Sequence, residues 1–197
     1  VHFSRLNLRQ VDVCALTGEL PGKYCRHTKK SGFIPGVSPI RVCGVHRAVP
    51  VDTAAGRRAC KHVPGKTEMR VFEFWPSDLL SIFRTAGIAL KAPPPFDEDC
   101  HLDQQAASGL PPAITSPQPG LVAAMDSESS NARQVPFLAV ADGDVRRLYW
   151  FVDNRYVGAS PPGQPLMWTA RSGTFDVRVV DDHGRAASTG LTVAWVR

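Results

Sequence analysis

No stretch of the chain approaches the run of about 20 apolar residues that crosses a bilayer as a helix. Val1 to Gln10 also lack the charged-then-apolar grammar of a secretory leader. Any export signal is therefore expected upstream, and a chain that starts at Val1 and enters directly into patterned sequence suits a piece cut from a longer polypeptide. Catalytic signatures are missing as well. There is no Ser-x-x-Lys, no Gly-x-Ser-x-Gly and no Lys-Thr-Gly; the nearest string, Gly65-Lys66-Thr67-Glu68, ends in glutamate where the glycine belongs and reads as a surface loop. Pro64-Gly65-Lys66-Thr67 lacks the first glycine of a phosphate-cradling loop. The acids Asp97-Glu98-Asp99 are chain neighbours whose side chains diverge in an extended backbone, so they read as solvated linker rather than an acid/base pair. No internal repeat is present.

Acidic residues are scarce at the start. Residues 1–72 hold four (Asp12, Glu19, Asp52, Glu68) against thirteen Lys or Arg, a local balance of +9, which leaves −4 for the rest of a chain whose net charge is +5. Such a segment attracts anionic polymers by screened Coulomb forces, and nucleic acid, lipid headgroups and wall carboxylates suit it equally. Lys29, Lys30, Arg57 and Arg58 are its candidate contacts, and the aromatics Tyr156 and Trp168 are expected to be exposed and able to join them.

What remains is the mix of a folded protein: 43% hydrophobic and 21% charged over 197 residues, enough for one domain or two small ones. In the first part, Leu6, Leu8, Val11 and Val13 lead to a Thr17-Gly18 turn. Pro21-Gly22, Pro35-Gly36 and Ser38-Pro39 then punctuate the chain, a pattern of short strands and turns. Arg47–Asp52 and Arg57–Cys60 around Thr53-Ala54-Ala55-Gly56 predict a hairpin, with Pro50 on an edge strand because it has no N–H to donate. One helix is expected over about 77–86, with Ser77 as N-cap, Asp78 in the first turn, Leu79, Leu80, Ile82 and Phe83 at helical spacing, and Gly87 as terminator. Its apolar stripe needs a neighbour, and Phe74 and Trp75 are the nearest.

Past the stiff Ala92-Pro93-Pro94-Pro95 tract, residues 103–112 read as a linker, and from Ala113 the pattern is β. Runs at Phe137–Val140, Arg147–Val152 (closed by Asp153-Asn154), Arg155–Val157, Thr174–Val179 and Leu191–Trp195 are short strands. In Thr174–Val179 the alternation puts Phe175, Val177 and Val179 on one face. About seven such strands imply an immunoglobulin-like β-sandwich, with Trp150 in its core. The fold expected is therefore mainly β: a turn-rich basic part over 1–102 with one helix, the linker at 103–112, and the sandwich over 113–197.

Five cysteines leave one over in any purely intramolecular disulfide framework. Cys14, Cys25, Cys43 and His46 present four metal-competent groups, the last two at a Cys-x-x-His spacing that suits one face of a tetrahedral zinc ion, with Cys60 and Cys100 remaining as a disulfide pair. Alternatively, Cys14 pairs with Cys25 across the Thr17-Gly18 turn in an oxidising compartment and one thiol stays free.

Four strings taken together, Val13-Cys14-Ala15-Leu16-Thr17-Gly18, Cys25-Arg26-His27-Thr28, Phe33-Ile34-Pro35-Gly36-Val37-Ser38-Pro39 and Cys43-Gly44-Val45-His46, resemble the segment after the transpeptidase domain of class A penicillin-binding proteins. Phe74-Trp75-Pro76, Pro93-Pro94-Pro95-Phe96-Asp97-Glu98-Asp99-Cys100, Ile114-Thr115-Ser116-Pro117 and Leu148-Tyr149-Trp150-Phe151-Val152-Asp153 are similar to the carboxy-terminal domain of the penicillin-binding protein 1C family. The resemblance implies a parent anchored in the bacterial inner membrane, a bifunctional peptidoglycan synthase with glycosyltransferase and transpeptidase activities facing the periplasm. Its catalytic motifs do not occur here, so no catalytic residue is carried over and this chain is expected not to be an enzyme. The roles implied are docking of periplasmic proteins, among them a macroglobulin-like trap, or contact with peptidoglycan. Nucleic acid is not an expected partner, and a structural zinc is the one cofactor the residues suggest.

Overall fold

A computed structural model describes residues 7–101, 105, 109–126 and 134–196. Leu6 and half of the expected 103–112 linker lie outside the described residues. The chain divides into two compact units, one of residues 1–74 and 90–94, the other of 75–89 and 95–197. The helix, expected in the basic part, thus groups with the second unit.

The first unit consists of two antiparallel ribbons. In one, β1 (Arg9–Cys14) pairs with β2 (Thr28–Phe33) in a register that sets Cys14 opposite Thr28. In the other, β3 (His46–Asp52) pairs with β4 (Thr67–Glu73), placing Pro50 opposite Met69. The expected hairpin forms in miniature: Asp52 N–H donates to the Arg57 carbonyl at 2.8 Å and Ala59 N–H to that of Pro50 at 2.9 Å. The longer partner of β3 is nevertheless β4, which starts only at Thr67, a pairing that local pattern does not encode. Pro50 is tolerated because a two-stranded ribbon consists of edges. Among the described residues, the buried apolar side chains here are Val13, Val45, Val49, Val51 and Phe74, alongside Cys14 and Cys43.

The second unit is the expected sandwich. One sheet has the order β10-β7-β5 and the other β6-β12-β11-β8-β9, where β5 is Ala113–Ser116, β6 Leu121–Asp126, β7 Gln134–Val140, β8 Leu148–Val152, β9 Arg155–Ser160, β10 Leu166–Thr169, β11 Gly173–Asp181 and β12 Ala186–Val196. Alternation in β11 is as read from sequence, with Phe175, Val177 and Val179 buried and Asp176 and Arg178 exposed. Asp153 and Asn154, both at positive φ (48° and 63°), form the two-residue turn joining β8 to β9, a conformation that matches the strands' twist. Among the described residues of this unit, β6 joining β12 is the one parallel strand pairing, which a hairpin cannot make. Trp150 is fully buried, its ring 5.5 Å from that of Phe137, and its indole N–H donates to Ser160 Oγ at 3.1 Å. Each large side chain buried in this way contributes about 1.5–3 kcal/mol.

The helix α1 spans Ser77–Thr85. Its N-cap is Pro76 rather than Ser77, and no side chain caps it. Ser77 is instead clipped to a strand end: its N–H donates to the Ala141 carbonyl at 2.9 Å, while Ala141 N–H donates to Ser77 Oγ at 3.1 Å. Phe83 meets the Trp75 ring edge-on at 4.9 Å, as the apolar stripe required. Phe74 packs within the first unit.

Candidate metal centre and adjoining groove

Cys14 ends β1, and the chain turns at once: Gly18 N–H donates to the Cys14 carbonyl (2.9 Å) and Cys14 N–H to that of Glu19 (2.7 Å). Leu20 then bridges Val42 in parallel, with Cys43 N–H donating to the Leu20 carbonyl at 2.8 Å. A second turn, closed by Cys25 N–H to the Gly22 carbonyl at 3.0 Å, lifts Cys25 toward the same point. His46 opens β3. Four separated segments therefore deliver Cys14, Cys25, Cys43 and His46 to one place.

The three sulfurs surround a single nitrogen. His46 Nδ1 lies 3.8 Å from Cys14 Sγ, 3.5 Å from Cys25 Sγ and 3.4 Å from Cys43 Sγ. All four candidate ligand atoms fall within 4.8 Å of one another. Cys14 and Cys43 are buried, while Cys25 and His46 are partly covered. Gly22 makes this closeness possible, since a Cβ there would stand 2.7 Å from the Cys43 carbonyl oxygen. Gly22 N–H also donates to Cys25 Sγ at 3.3 Å.

The crowding shows in the acidities. Burial pushes the Cys25 thiol up, only partly offset by the Gly22 amide, and the neighbouring Cys43 and Cys14 sulfurs drive it further, to about 12. Burial also opposes ionisation of Cys14, but donors at Thr17, Leu16 and Cys25 outweigh it and bring that thiol down to about 7.

Beside this cluster an open groove of about 420 Å³ is lined by Tyr24, Arg26, His46, Phe72 and Lys91 among others. Lys91 Nζ sits 5.4 Å from the centre of the Phe72 ring. Sequence reasoning missed this groove, because Tyr24 and Lys91 are far apart in the chain and nothing local marks either.

The remaining candidates scatter. Lys29 and Lys30 are exposed on β2, and Lys30 is paired with Asp12 at 2.9 Å. Arg57 is partly buried. Arg58 corrects the expectation of a surface contact: it is 1% exposed, with its guanidinium 5.2 Å from the Phe74 ring, so it packs inside the unit. Trp168 is likewise not an exposed platform. It is half-buried, stacked on Phe137 at 5.4 Å and edge-on to Phe175 at 5.1 Å, because β10 turns that face to the core. Tyr156 is 59% exposed on β9, as expected. Cys60 and Cys100 are disulfide-bonded, whereas Cys14, Cys25 and Cys43 are free thiols.

Sequence reasoning also missed a buried ionic cluster in the second unit. Arg185 donates to Asp181 Oδ2 at 2.6 Å, to Asp142 Oδ2 at 3.3 Å and to Asp144 Oδ1 at 3.3 Å. Its guanidinium acidity is weakened: desolvation works against the charge, but Asp144, Asp181 and Asp142 together overcome it.

Residues 101–193 match the family model of the Penicillin-Binding Protein C-terminus Family, and residues 6–48 match that of the penicillin-binding protein 1A C-terminal domain. Among solved structures, the chain is similar to the fibronectin(III)-like modules of Clostridium thermocellum CbhA at 21% identity and a TM-score of 0.35, over 44% of this chain and 99% of that one. It is also similar to the Bacteroides ovatus mixed-linkage glucan utilization locus SGBP-B, solved with a mixed-linkage heptasaccharide. That likeness is at 14% identity and a TM-score of 0.31, over 43% of this chain and 24% of that one. No curated protein matches the chain.

Proposed function

Since the chain is the C-terminal region of a class A penicillin-binding protein, we propose that it is a non-catalytic interaction module of a bifunctional peptidoglycan synthase, working at the periplasmic face of the inner membrane. The matched modules are C-terminal domains, not the catalytic ones. Among the described residues, no helix is long and apolar enough to cross a membrane. The observation that carries this reading is the groove in the first unit. Tyr24, Phe72, Arg26 and Lys91 line it together with the acid Glu73, and all but Lys91 and Glu73 of these come from the segment 1–72, whose charge balance is +9. Aromatic faces with adjacent cations suit an extended ligand that bears carboxylates, and a periplasmic protein presenting an acidic segment meets that description.

Immobilised chain incubated with periplasmic extract tests it. Wild type should retain envelope proteins, and the pair Arg26→Glu and Lys91→Glu should release them at moderate salt. Equal capture by both would remove the groove from the account.

A second reading, direct contact with peptidoglycan, is favoured by the exposed Lys29 on β2 and Tyr156 on β9. Co-sedimentation with isolated sacculi separates the two. Binding to sacculi that weakens with salt and with Lys29→Glu supports wall contact, while capture of protein without sacculus binding supports docking.

A further inference from the structure

We propose that Cys14, Cys25, Cys43 and His46 bind one zinc ion as a closed structural centre, with His46 ligating through Nδ1. This stands apart from the docking proposal, since it rests only on the side chains of the first unit. Zinc–sulfur bonds of about 2.3 Å and a zinc–nitrogen bond of about 2.0–2.1 Å at tetrahedral angles place sulfur and nitrogen ligands about 3.5 Å apart. The three observed separations of 3.4, 3.5 and 3.8 Å bracket that edge length. A disulfide within the cluster uses two sulfurs, strands the third and gives the imidazole no role. A tetrahedral ion uses all four groups and explains why three sulfurs converge on one nitrogen.

The ligand chemistry selects the metal class. Thiolates with one imidazole in a tetrahedron suit zinc, whereas magnesium and calcium take oxygen ligands and iron–sulfur clusters commonly take four cysteines. Four protein ligands leave no open position, so the centre braces the fold and does not activate water. Loading exchanges protons for metal: three thiols lose their protons to solvent as three zinc–sulfur bonds and one zinc–nitrogen bond form, and nothing is oxidised or reduced. The site then carries one net negative charge, which the surrounding basic segment accommodates. The Gly22 amide donates to Cys25 Sγ, the kind of N–H···S contact that steadies a ligating thiolate.

The centre ties together side chains of segments that are otherwise joined by backbone hydrogen bonds, the β1–β2 pairing and the Leu20–Val42 bridge, with little buried apolar surface. Between Cys14 and His46 the chain makes the β2 strand and three turns, and the buried apolar residues flanking the ligands are single valines, Val13 beside Cys14 and Val45 beside His46. His46 also lines the groove while its Nδ1 faces the sulfurs. Metal loading therefore sets one wall of that groove.

The full chain, purified without chelator and without immobilised nickel, should contain about one zinc per chain by elemental analysis. Its cobalt(II) form should show the visible d–d bands of a tetrahedral site and a thiolate charge-transfer band. Cys43→Ser should lower zinc affinity more than tenfold and abolish the charge-transfer intensity of one thiolate. Should that variant fold poorly, His46→Cys provides the second arm: it keeps four ligands, and it should retain zinc while shifting the cobalt spectrum to that of four thiolates. Zinc-free protein with a Cys14–Cys25, Cys14–Cys43 or Cys25–Cys43 disulfide by mass spectrometry overturns the proposal. So does reduced protein that takes up neither zinc nor cobalt.

Discussion

The two units of this chain are organised by different physics. In the sandwich, alternating strands turn large apolar side chains inward, and Trp150, Phe137, Leu148, Val177 and Val179 make a continuous core. In the basic unit, Val49, Val51 and Phe74 form a small cluster on one ribbon, and the other loops converge on four chemically specific groups. A core drawn from area tolerates many sequences of the right pattern, because hydrophobic burial is non-directional. A centre built from ligands, as proposed for the basic unit, would depend on the chemistry and separation of a few atoms.

That contrast can be broken in stages. Trp150→Ala should be the most damaging single change in the sandwich, costing about 3–5 kcal/mol by urea denaturation, because it opens a cavity and strands Ser160. Zinc content should not change, and a loss of zinc would show that the two kinds of organisation are not separable. Arg185→Met should cost about 3 kcal/mol or more, since it removes the guanidinium that pairs with the buried carboxylates of Asp142, Asp144 and Asp181. A variant as stable as the parent would mean that water satisfies those carboxylates.

In the basic unit, Gly22→Ala should cost about 1–3 kcal/mol, because its Cβ meets the Cys43 carbonyl. It should also weaken zinc binding about 10–100-fold. Destabilisation with unaltered zinc affinity would separate that glycine from the centre.

The smallest effect belongs to Asp52. The amides of Ala55 and Ala54 donate to its carboxylate and hold it below the usual carboxylate range. A depressed folded-state value stabilises the protein above the unfolded-state value and stops doing so as pH falls through the folded one. Asp52→Ala should therefore lower the Tm slightly at pH 7 and leave it unaltered in acid. A pH-independent difference would point to the turn's shape rather than its charge.

The strands that can be read from sequence are those whose pattern is local. Thr174–Val179 shows its buried face in the spelling alone, and Asp153-Asn154 marks its own turn. By contrast, β5 and β6 carry no such mark, since four residues at 113–116 hold little periodicity and β6 is specified by a parallel partner far along the chain. Ser77 has the look of a helix cap because a serine before an acidic first turn usually is one; a strand end 64 residues on claims its hydroxyl instead. Arg58 and Trp168 depart from expectation for one reason: residue type suggests a surface or ligand role, but solvent exposure depends on what packs above a side chain.

By itself, then, the sequence determined the fold class, the helix, the sandwich and the four residues worth asking about as metal ligands, because periodicity and spacing are properties of neighbouring residues. Only tertiary structure decided that three sulfurs meet one imidazole nitrogen, that an arginine lies buried among three aspartates, and that Tyr24 and Lys91 share a groove. These are distances between segments that are remote in the chain, and no local preference encodes them.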